Sequence, residues 1–303
     1  MNNDAQGWIN VYKPVGISSF KALNKIKKNF RINKIGHGGT LDPNAEGILP
    51  IAIGKATKLI QFINTYQKEY DFEVKWGEQT STDDKEGEII GTSKNIPHFN
   101  DIKKKLIEFH GEIMQKPPRA SAVKIQGIRA YKLLRNEKFF DTTEKKVFLY
   151  SSKVYKSKNP LITRLIINCS KGFYVRSLAR DLAEKLNTKG HIFSLKRTKV
   201  GKFDLKNVNL LDDLLKIRHE LSEFKGFHTS ISMLDDILAY EIDGEKDKLN
   251  ISQGKPIEIN INNFKKPPLN FTDRKIVFLT EKGNILSFGK LNGNLFKPSK
   301  VLI

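Results

Sequence analysis

Between Gly36 and Lys58 the chain reads GHGGTLDPNAEGILPIAIGKATK, with one of its acids, Asp42, fixed between Leu41 and Pro43. Proline drives the residue before it toward extended dihedrals, so the Asp42 carboxylate is held in one direction. Gly36, Gly38 and Gly39 allow a tight path and a close approach of backbone to a ligand. Taken alone, an aspartate in such a loop bonds its own backbone. Taken as chemistry, a carboxylate on a fixed backbone is a base or a nucleophile. A second cluster, CSKGFYVRSLARDL from Cys169 to Leu182, puts Arg176 in the first turn of a helix. A cation there opposes the helix dipole, so a carboxylate partner or a substrate phosphate is the alternative to a solvent-facing side chain. Tyr174 flanks that helix, Tyr70 closes the tripeptide KEY, and Lys13-Pro14 stands before Gly16 in a rigid basic turn. Each of these three reads by itself as structural: a helix-flanking aromatic, a core tyrosine and a turn.

Two phosphate-binding loops are excluded by spacing. GxxxxGK[ST] would need glycine at Leu49, and Gly54-Lys55 is followed by Ala56; GxGxxG would need glycine at Leu41. No nucleotide cofactor is expected. The single cysteine, Cys169, rules out an internal disulfide framework, and the six histidines lack metal-ligand spacing, so no metal is expected. Lys and Arg number 53 against 33 Asp and Glu, for a formal charge of +20. That excess points to a polyanion, nucleic acid or an anionic surface. No apolar run approaches the roughly 18 residues of a membrane span, and MNNDAQGWIN has no signal-peptide pattern. A cytoplasmic protein with no membrane partner is the expectation.

The elements that must position these residues follow from periodicity. SSFKALNKIKKNF predicts a helix from Ser19, capped by Ser18 or Ser19, with Phe20, Leu23, Ile26 and Phe30 on one side and Lys21, Lys25 and Lys28 on the other. ILPIAIG reads as a buried strand and KATKLIQFI as a helix. EYDFEVKWG alternates, with Tyr70, Phe72, Val74 and Trp76 on one face. STDDKEG is turn chemistry. FNDIKKKLIEF and FYVRSLARDLAEKL read as helices, the second burying Val175, Leu178, Ala179, Leu182, Ala183 and Leu186; KVFLYSSKVY, LITRLIINCS and HIFSLKRTKVGKF read as strands and NLLDDLLKIRHEL as a further helix. Residues 115–145 are an excursion from the main sheet. The class is α+β. Near residue 230, after a linker at 222–230, short strands and turns define a small β-rich unit, a barrel. The chain divides into residues 1–228 and 229–303.

In order, the segments KPVGISS, KIGHGGTLDPNAEGILPIAIGKATKLI, KEYDFEVKWGEQTSTDDKEG, QKPPRASAVKIQGIRAYKLLR, CSKGFYVRSLARDLAEKL and LKRTKVGKF resemble the bacterial tRNA pseudouridine-55 synthases, the TruB family, over most of residues 7–203. The resemblance implies a pseudouridine-synthase fold, a mixed and mainly antiparallel sheet with flanking helices around an RNA cleft, followed by a PUA-like C-terminal domain. It implies isomerisation of uridine 55 in the T-arm loop of tRNA, with no cofactor and by a monomer. Asp42 then initiates glycosidic cleavage with Arg176 as its charge partner, and Tyr70 stacks on the base and moves a proton. Tyr174 and Leu195 line the pocket, His37 contacts RNA near the target, and Lys13 and Arg197 are further substrate-binding cations. The flipped base and the tRNA elbow would be drawn in by basic surface; residues 1–60 carry nine Lys and Arg against three Asp and Glu. Two positions depart from the family pattern: Gly38, often threonine, and Ala120, usually aromatic. The rival readings are a related synthase acting on another RNA, such as an H/ACA-guided homologue of longer architecture, and a non-catalytic RNA-binding or tRNA-folding protein.

Overall fold

The computed structural model describes residues 6–63, 66–121, 124–125, 127–130, 133, 142–217, 221, 224, 226–234, 238–260, 264, 276–282 and 284–303. Strand β1 (Gly7–Lys13) leads into helix α1 (Ser19–Asn29); β2 (Ile35–His37) and β3 (Ala45–Ile53) bracket the Asp42 loop. A 3₁₀ turn over Gly54–Leu59 precedes the short helix α2 (Ile60–Ile63) and strand β4 (Lys68–Trp76). The hairpin β5 (Glu78–Thr80) and β6 (Ile89–Thr92) is followed by α3 (Phe99–Ile107) and β7 (Gly111–Gln115), then by the two-residue strands β8 (Lys124–Ile125) and β9 (Ile128–Arg129). Strands β10 (Lys145–Lys156) and β11 (Ile162–Cys169) precede α4 (Val175–Lys185), β12 (Gly190–Val200), β13 (Phe203–Asp204), β14 (Asn209–Leu210), α5 (Leu211–Leu214) and β15 (Phe227–Thr229). The remainder is β16 (Leu238–Glu241), α6 (Glu245–Ser252), β17 (Ile257–Glu258), β18 (Val277–Glu281), β19 (Asn284–Asn292) and β20 (Leu295–Val301).

The main sheet runs β14-β1-β3-β12-β4-β11-β10-β7, with β13, β15 and β2 attached at its flank. Among the described pairs of this sheet only β1–β14 and β12–β3 are parallel, so the sheet is mixed and mainly antiparallel, as expected. Helices α3 and α4 close one core, where Phe72, Val74 and Trp76 meet Ile102, Leu106, Leu178 and Leu182. Helix α1 closes another over Ile9, Val11, Leu49 and Ile51. The alternation of β4 is complete: every second residue from Lys68 to Trp76 is buried. Burial of each large apolar side chain there contributes about 1.5–3 kcal/mol.

Several expectations change in detail. Phe20 does not join the apolar side of α1; it is 67% exposed, and Ala22 takes its place beside Leu23 and Ile26. Residues 54–59 form 3₁₀ rather than α structure, because Gly54 has φ +61 and its carbonyl accepts the Thr57 hydroxyl at 2.8 Å. The strand read through Phe203 breaks at Gly201, φ +54. The helix expected over residues 209–221 is α only for Leu211–Leu214, and residues 218–220 lie outside the described residues. Leu186 caps α4 and is only partly buried. In the 115–145 excursion, β8 and β9 pair with each other away from the main sheet; residues 122–123, 126, 131–132 and 134–141 lie outside the described residues.

The C-terminal strands form a separate sheet, β16-β18-β19-β20-β17, whose described pairings follow an open path rather than closing a barrel. Its Phe278 and Phe288 pack edge-on against Phe62 of α2, at 5.0 and 5.2 Å between ring centroids. Ile285 and Leu302 join Trp8, Ile48 and Leu59 in one apolar cluster. Strand β15 belongs to the main sheet, paired with β1 through Thr229.

Candidate active site

The Asp42 loop is held on both sides by groups buried beneath it. Arg197, 1% exposed, donates through Nε to the Ile48 carbonyl at 2.8 Å and through its terminal nitrogens to Gly39 and Thr40 at 2.9 and 3.3 Å. Ser19 grips Leu41 twice: its Oγ donates to the carbonyl at 2.9 Å and accepts the amide at 2.8 Å. The carbonyl of Pro43 accepts the Gly16 amide at 2.9 Å and the Lys13 ammonium at 3.3 Å. Lys13, 0% exposed, also donates to Pro14 and Ile17 at 2.9 and 2.8 Å. Every residue flanking Asp42 is therefore pinned by a side chain or amide of another element. Ser18 caps α1 through the Lys21 amide at 3.1 Å, leaving Ser19 for the loop.

Burial pushes the Lys13 ammonium down to about 8, the Asp42 charge opposing and Arg197 assisting. In the unfolded chain this lysine titrates near 10.5. Between those values the unfolded state binds more protons, so the folding free energy gains stability as pH rises through the window. The loop, however, loses an ammonium that three carbonyls share. We therefore expect kcat/KM to fall above about pH 8 while resistance to urea does not fall with it; a rate that stays flat to pH 10 removes Lys13 from this role.

Gly47 makes the close packing of β3 on β12 possible. Its φ is +106, and a Cβ built there would lie 2.2 Å from the Arg197 carbonyl oxygen. Gly47→Ala should cost about 3 kcal/mol from backbone strain and overlap together, seen as a lower urea midpoint; an unchanged midpoint would remove the packing argument.

Arg176 enters from the first turn of α4 and is 7% exposed, not solvent-facing. Its terminal nitrogens meet the Asp42 carboxylate at 2.8 Å and the Asp84 carboxylate at 3.4 Å. They also donate to the carbonyls of Thr82 at 3.0 Å and Ala120 at 3.1 Å. The departure at position 120 thus bears on a residue that holds Arg176 by its backbone, which any side chain provides. The amide of Gly38, the other departure, donates to the Pro50 carbonyl at 2.8 Å. The Asp42 side chain is 41% accessible against 8% for Arg176, so the acid faces the groove and the guanidinium backs it.

Asp84 and Asp83 were not singled out by sequence reasoning, which took STDDKEG only as a turn. Asp84 Oδ1 accepts the Thr82 hydroxyl at 2.6 Å and the Glu86 amide at 3.0 Å. Asp83, at φ +59, pairs with Arg180 at 3.1 Å. The available signal was Arg176 and Arg180, four apart and hence neighbours on one helix face, facing two consecutive acids in a strongly basic chain.

Asp42, Arg176 and Leu195 line one groove, together with Asp84, Lys85 and Phe193. Tyr70 lies behind it, 8% exposed, opposite Arg197 in the β4–β12 register. Burial raises its phenol, and a hydrogen bond and charge from Arg197 oppose this. Tyr174 stands at the cap position of α4, its backbone exchanging two hydrogen bonds with the Gln115 side chain at 2.9 and 3.2 Å. Burial raises its phenol too, with Arg176 and Asp42 acting in opposite directions. Tyr70, Tyr174, His37, Lys13 and Arg197 are not among the residues lining the groove. Burial, then Arg197, lowers the His37 imidazole, whose Nδ1 is buried without a hydrogen-bond partner. Lys13 and Arg197, expected as substrate contacts, donate to backbone carbonyls of the loop and its flanks, Arg197 also interacting with Tyr70, and act as supports of the loop.

The mixed sheet with an acid–guanidinium clasp at its cleft is the pseudouridine-synthase class of architecture. The same fold occurs in the structure titled "Crystal Structure of a Cbf5-Nop10-Gar1 Complex", with a TM-score of 0.74 over 98% of this chain and 85% of that one, at 22% identity. It occurs again in "Structure of H/ACA RNP bound to a substrate RNA containing 2'-deoxyuridine", with a TM-score of 0.71 at 20% identity. The chain itself belongs to the TruB family of pseudouridylate synthases: residues 27–175 match the family's N-terminal domain and residues 176–239 the tRNA pseudouridylate synthase B C-terminal domain. That junction falls inside α4. Proteins named tRNA pseudouridine synthase B are similar along most of the chain. The one from Borreliella burgdorferi is 42% identical over 86% of this chain and 89% of its own, and that from Rickettsia bellii 38% over 97% of each. The first of those chains is longer than this one, since 98% of this chain covers 85% of it, and identity to the proteins named tRNA pseudouridine synthase B is higher.

Proposed function

We propose that the protein converts a uridine of tRNA, uridine 55 in the T-arm loop, to pseudouridine. The observation that carries this reading is the half-open Asp42 carboxylate, 2.8 Å from a buried arginine, on a loop pinned from both sides. The target base has to leave its stack, at a cost of a few kcal/mol, which phosphate contacts along the basic surface and stacking offset. Asp42 then acts on the sugar or on C6 of the base to start cleavage of the N1–C1′ bond. The base turns, C5 bonds to C1′, and the proton on C5 is lost. Leu195 walls the pocket and Tyr174 adjoins it at the cap of α4, while Tyr70, buried behind the groove, reaches the base to stack on it and move a proton once RNA enters.

Arg176 has a specific part in this sequence. When the charge of Asp42 is consumed in a covalent bond, the guanidinium still faces Asp84 and two carbonyls. It therefore stays in place for the second half of the reaction. We read residues 1–228 as the catalytic unit and 229–303 as a PUA-like unit touching the tRNA elbow, in a cytoplasmic monomer. Among the described residues no helix is long and apolar enough to cross a membrane. The test is incubation of the purified protein with an unmodified tRNA transcript and mapping of pseudouridine. Conversion at position 55 supports the reading; tight binding without conversion makes the protein an RNA binder; conversion only in another RNA moves the substrate.

A further inference from the structure

The groove carries an exposed aromatic ring that the proposed chemistry does not use. Strand β12 pairs residue for residue with β4 until Ile192 opposite Val74, then resumes with Ser194 opposite Glu73, leaving Phe193 unpaired at a bulge. Bulges re-aim side chains and recur beside active sites. Here the bulge resets the alternation, so that Ile192 packs in the core while Leu195 and Arg197 fall on the side of Phe72 and Tyr70. Phe193 itself is 41% exposed, between two neighbours with structural partners: Ile192 in the core, and Ser194, whose hydroxyl donates to Glu73 at 2.8 Å. A phenyl ring left in water loses the burial that favours it inside a protein, and nothing in the described core requires it there.

The turn that carries Asp84 docks on the same bulge. The Ile192 amide donates to the Asp83 carbonyl at 3.1 Å, and Asp84 bridges to Ile192. This brings the next residue, Lys85, over the Phe193 ring, with Nζ 6.0 Å from the centroid. Lys85 is exposed, and among the described residues no carboxylate pairs with it, unlike Arg176 and Arg180. An accessible ring with an ammonium beside it, on the rim of a groove built for a flipped nucleotide, matches a nucleobase face and its phosphate. Phe193 and Leu195 both line the groove, on either side of the residue that follows the bulge.

We propose that Phe193 and Lys85 form a second subsite, which stacks the base adjacent to the target uridine and binds its phosphate. Flipping a nucleotide unstacks its neighbour as well; the ring replaces the lost stacking partner and holds the backbone open. The proposal rests on the tRNA reading above and deepens it.

The experiment compares wild type, Phe193→Ala, Phe193→Tyr and Lys85→Gln on a tRNA transcript and on two transcripts abasic at the nucleotide before or after the target. Stacking of this kind predicts a loss of roughly ten-fold or more in kcat/KM for Phe193→Ala on the intact transcript, with Phe193→Tyr restoring most of it. On one abasic transcript, wild type and Phe193→Ala should turn over equally. Lys85→Gln should flatten the slope of log affinity against log salt by about 0.7–0.9, one phosphate contact. Equal turnover of wild type and Phe193→Ala on the intact transcript overturns the subsite, as does a ten-fold deficit that persists on both abasic transcripts. If wild type makes no pseudouridine at all, it is the activity reading that fails instead. Circular dichroism melts of each variant separate these outcomes from misfolding, since an exposed residue should leave the midpoint unchanged.

Discussion

Asp42→Asn yields a protein that binds tRNA and leaves its uridine unconverted. The amide preserves shape and cannot act as nucleophile or base, so kcat should fall by roughly 10⁴-fold or more. Folding should be intact, because the loop is held by its neighbours and not by the carboxylate: Gly39, Thr40, Leu41 and Pro43 make the bonds to Arg197, Ser19 and Lys13. Affinity for tRNA should change by less than an order of magnitude. The measurement is single-turnover conversion with excess enzyme, beside filter binding. Residual conversion at a tenth of the wild-type rate would place the initiating group elsewhere in the groove.

Arg176→Ala strikes both stability and turnover. Asp84 would remain 7% exposed with its guanidinium partner gone, and breaking a buried pair from one side costs about 3–5 kcal/mol. The carbonyls of Thr82 and Ala120 would lose a donor at the same time. Adding Asp84→Asn to this background should recover a good part of the urea midpoint, because the orphaned charge is gone, and should recover no activity. Arg176→Lys keeps one positive charge but cannot reach two carboxylates and two carbonyls from a single nitrogen; kcat should fall by roughly 10²–10³. If Asp84→Asn leaves the midpoint of Arg176→Ala unmoved, the stabilising role assigned to the pair is wrong.

The parts of the site that were readable in the sequence are those in which chemistry and local geometry coincide. Asp42 stood out because proline and glycine constrain the backbone around it, and Arg176 because a cation in a first helical turn has no local reason to be there. The strict alternation of β4 gave the central strand and the burial of Tyr70. What could not be read depends on contacts distant in the chain. Lys13 and Arg197 are cations that bind mainly backbone carbonyls, and a carbonyl leaves no trace in residue type. Asp84 meets Arg176 across 92 positions of sequence, so only a fold brings them together. Phe20 followed the helical period and still faces water, since the turn before it directs Ser19 to the Asp42 loop. The bulge at Phe193 is likewise invisible in composition, because a one-residue slip between strands changes no amino acid.

The aromatic seam of Phe62, Phe278 and Phe288 has a mechanical consequence. A small sheet glued by these rings, and by Ile285 and Leu302 against Trp8, cannot swing without wetting them. The distance between that sheet and the Asp42 carboxylate is then held by this packing. If that sheet contacts tRNA as proposed above, the protein would work as a calliper with one fixed jaw, selecting RNAs by the distance between two landmarks.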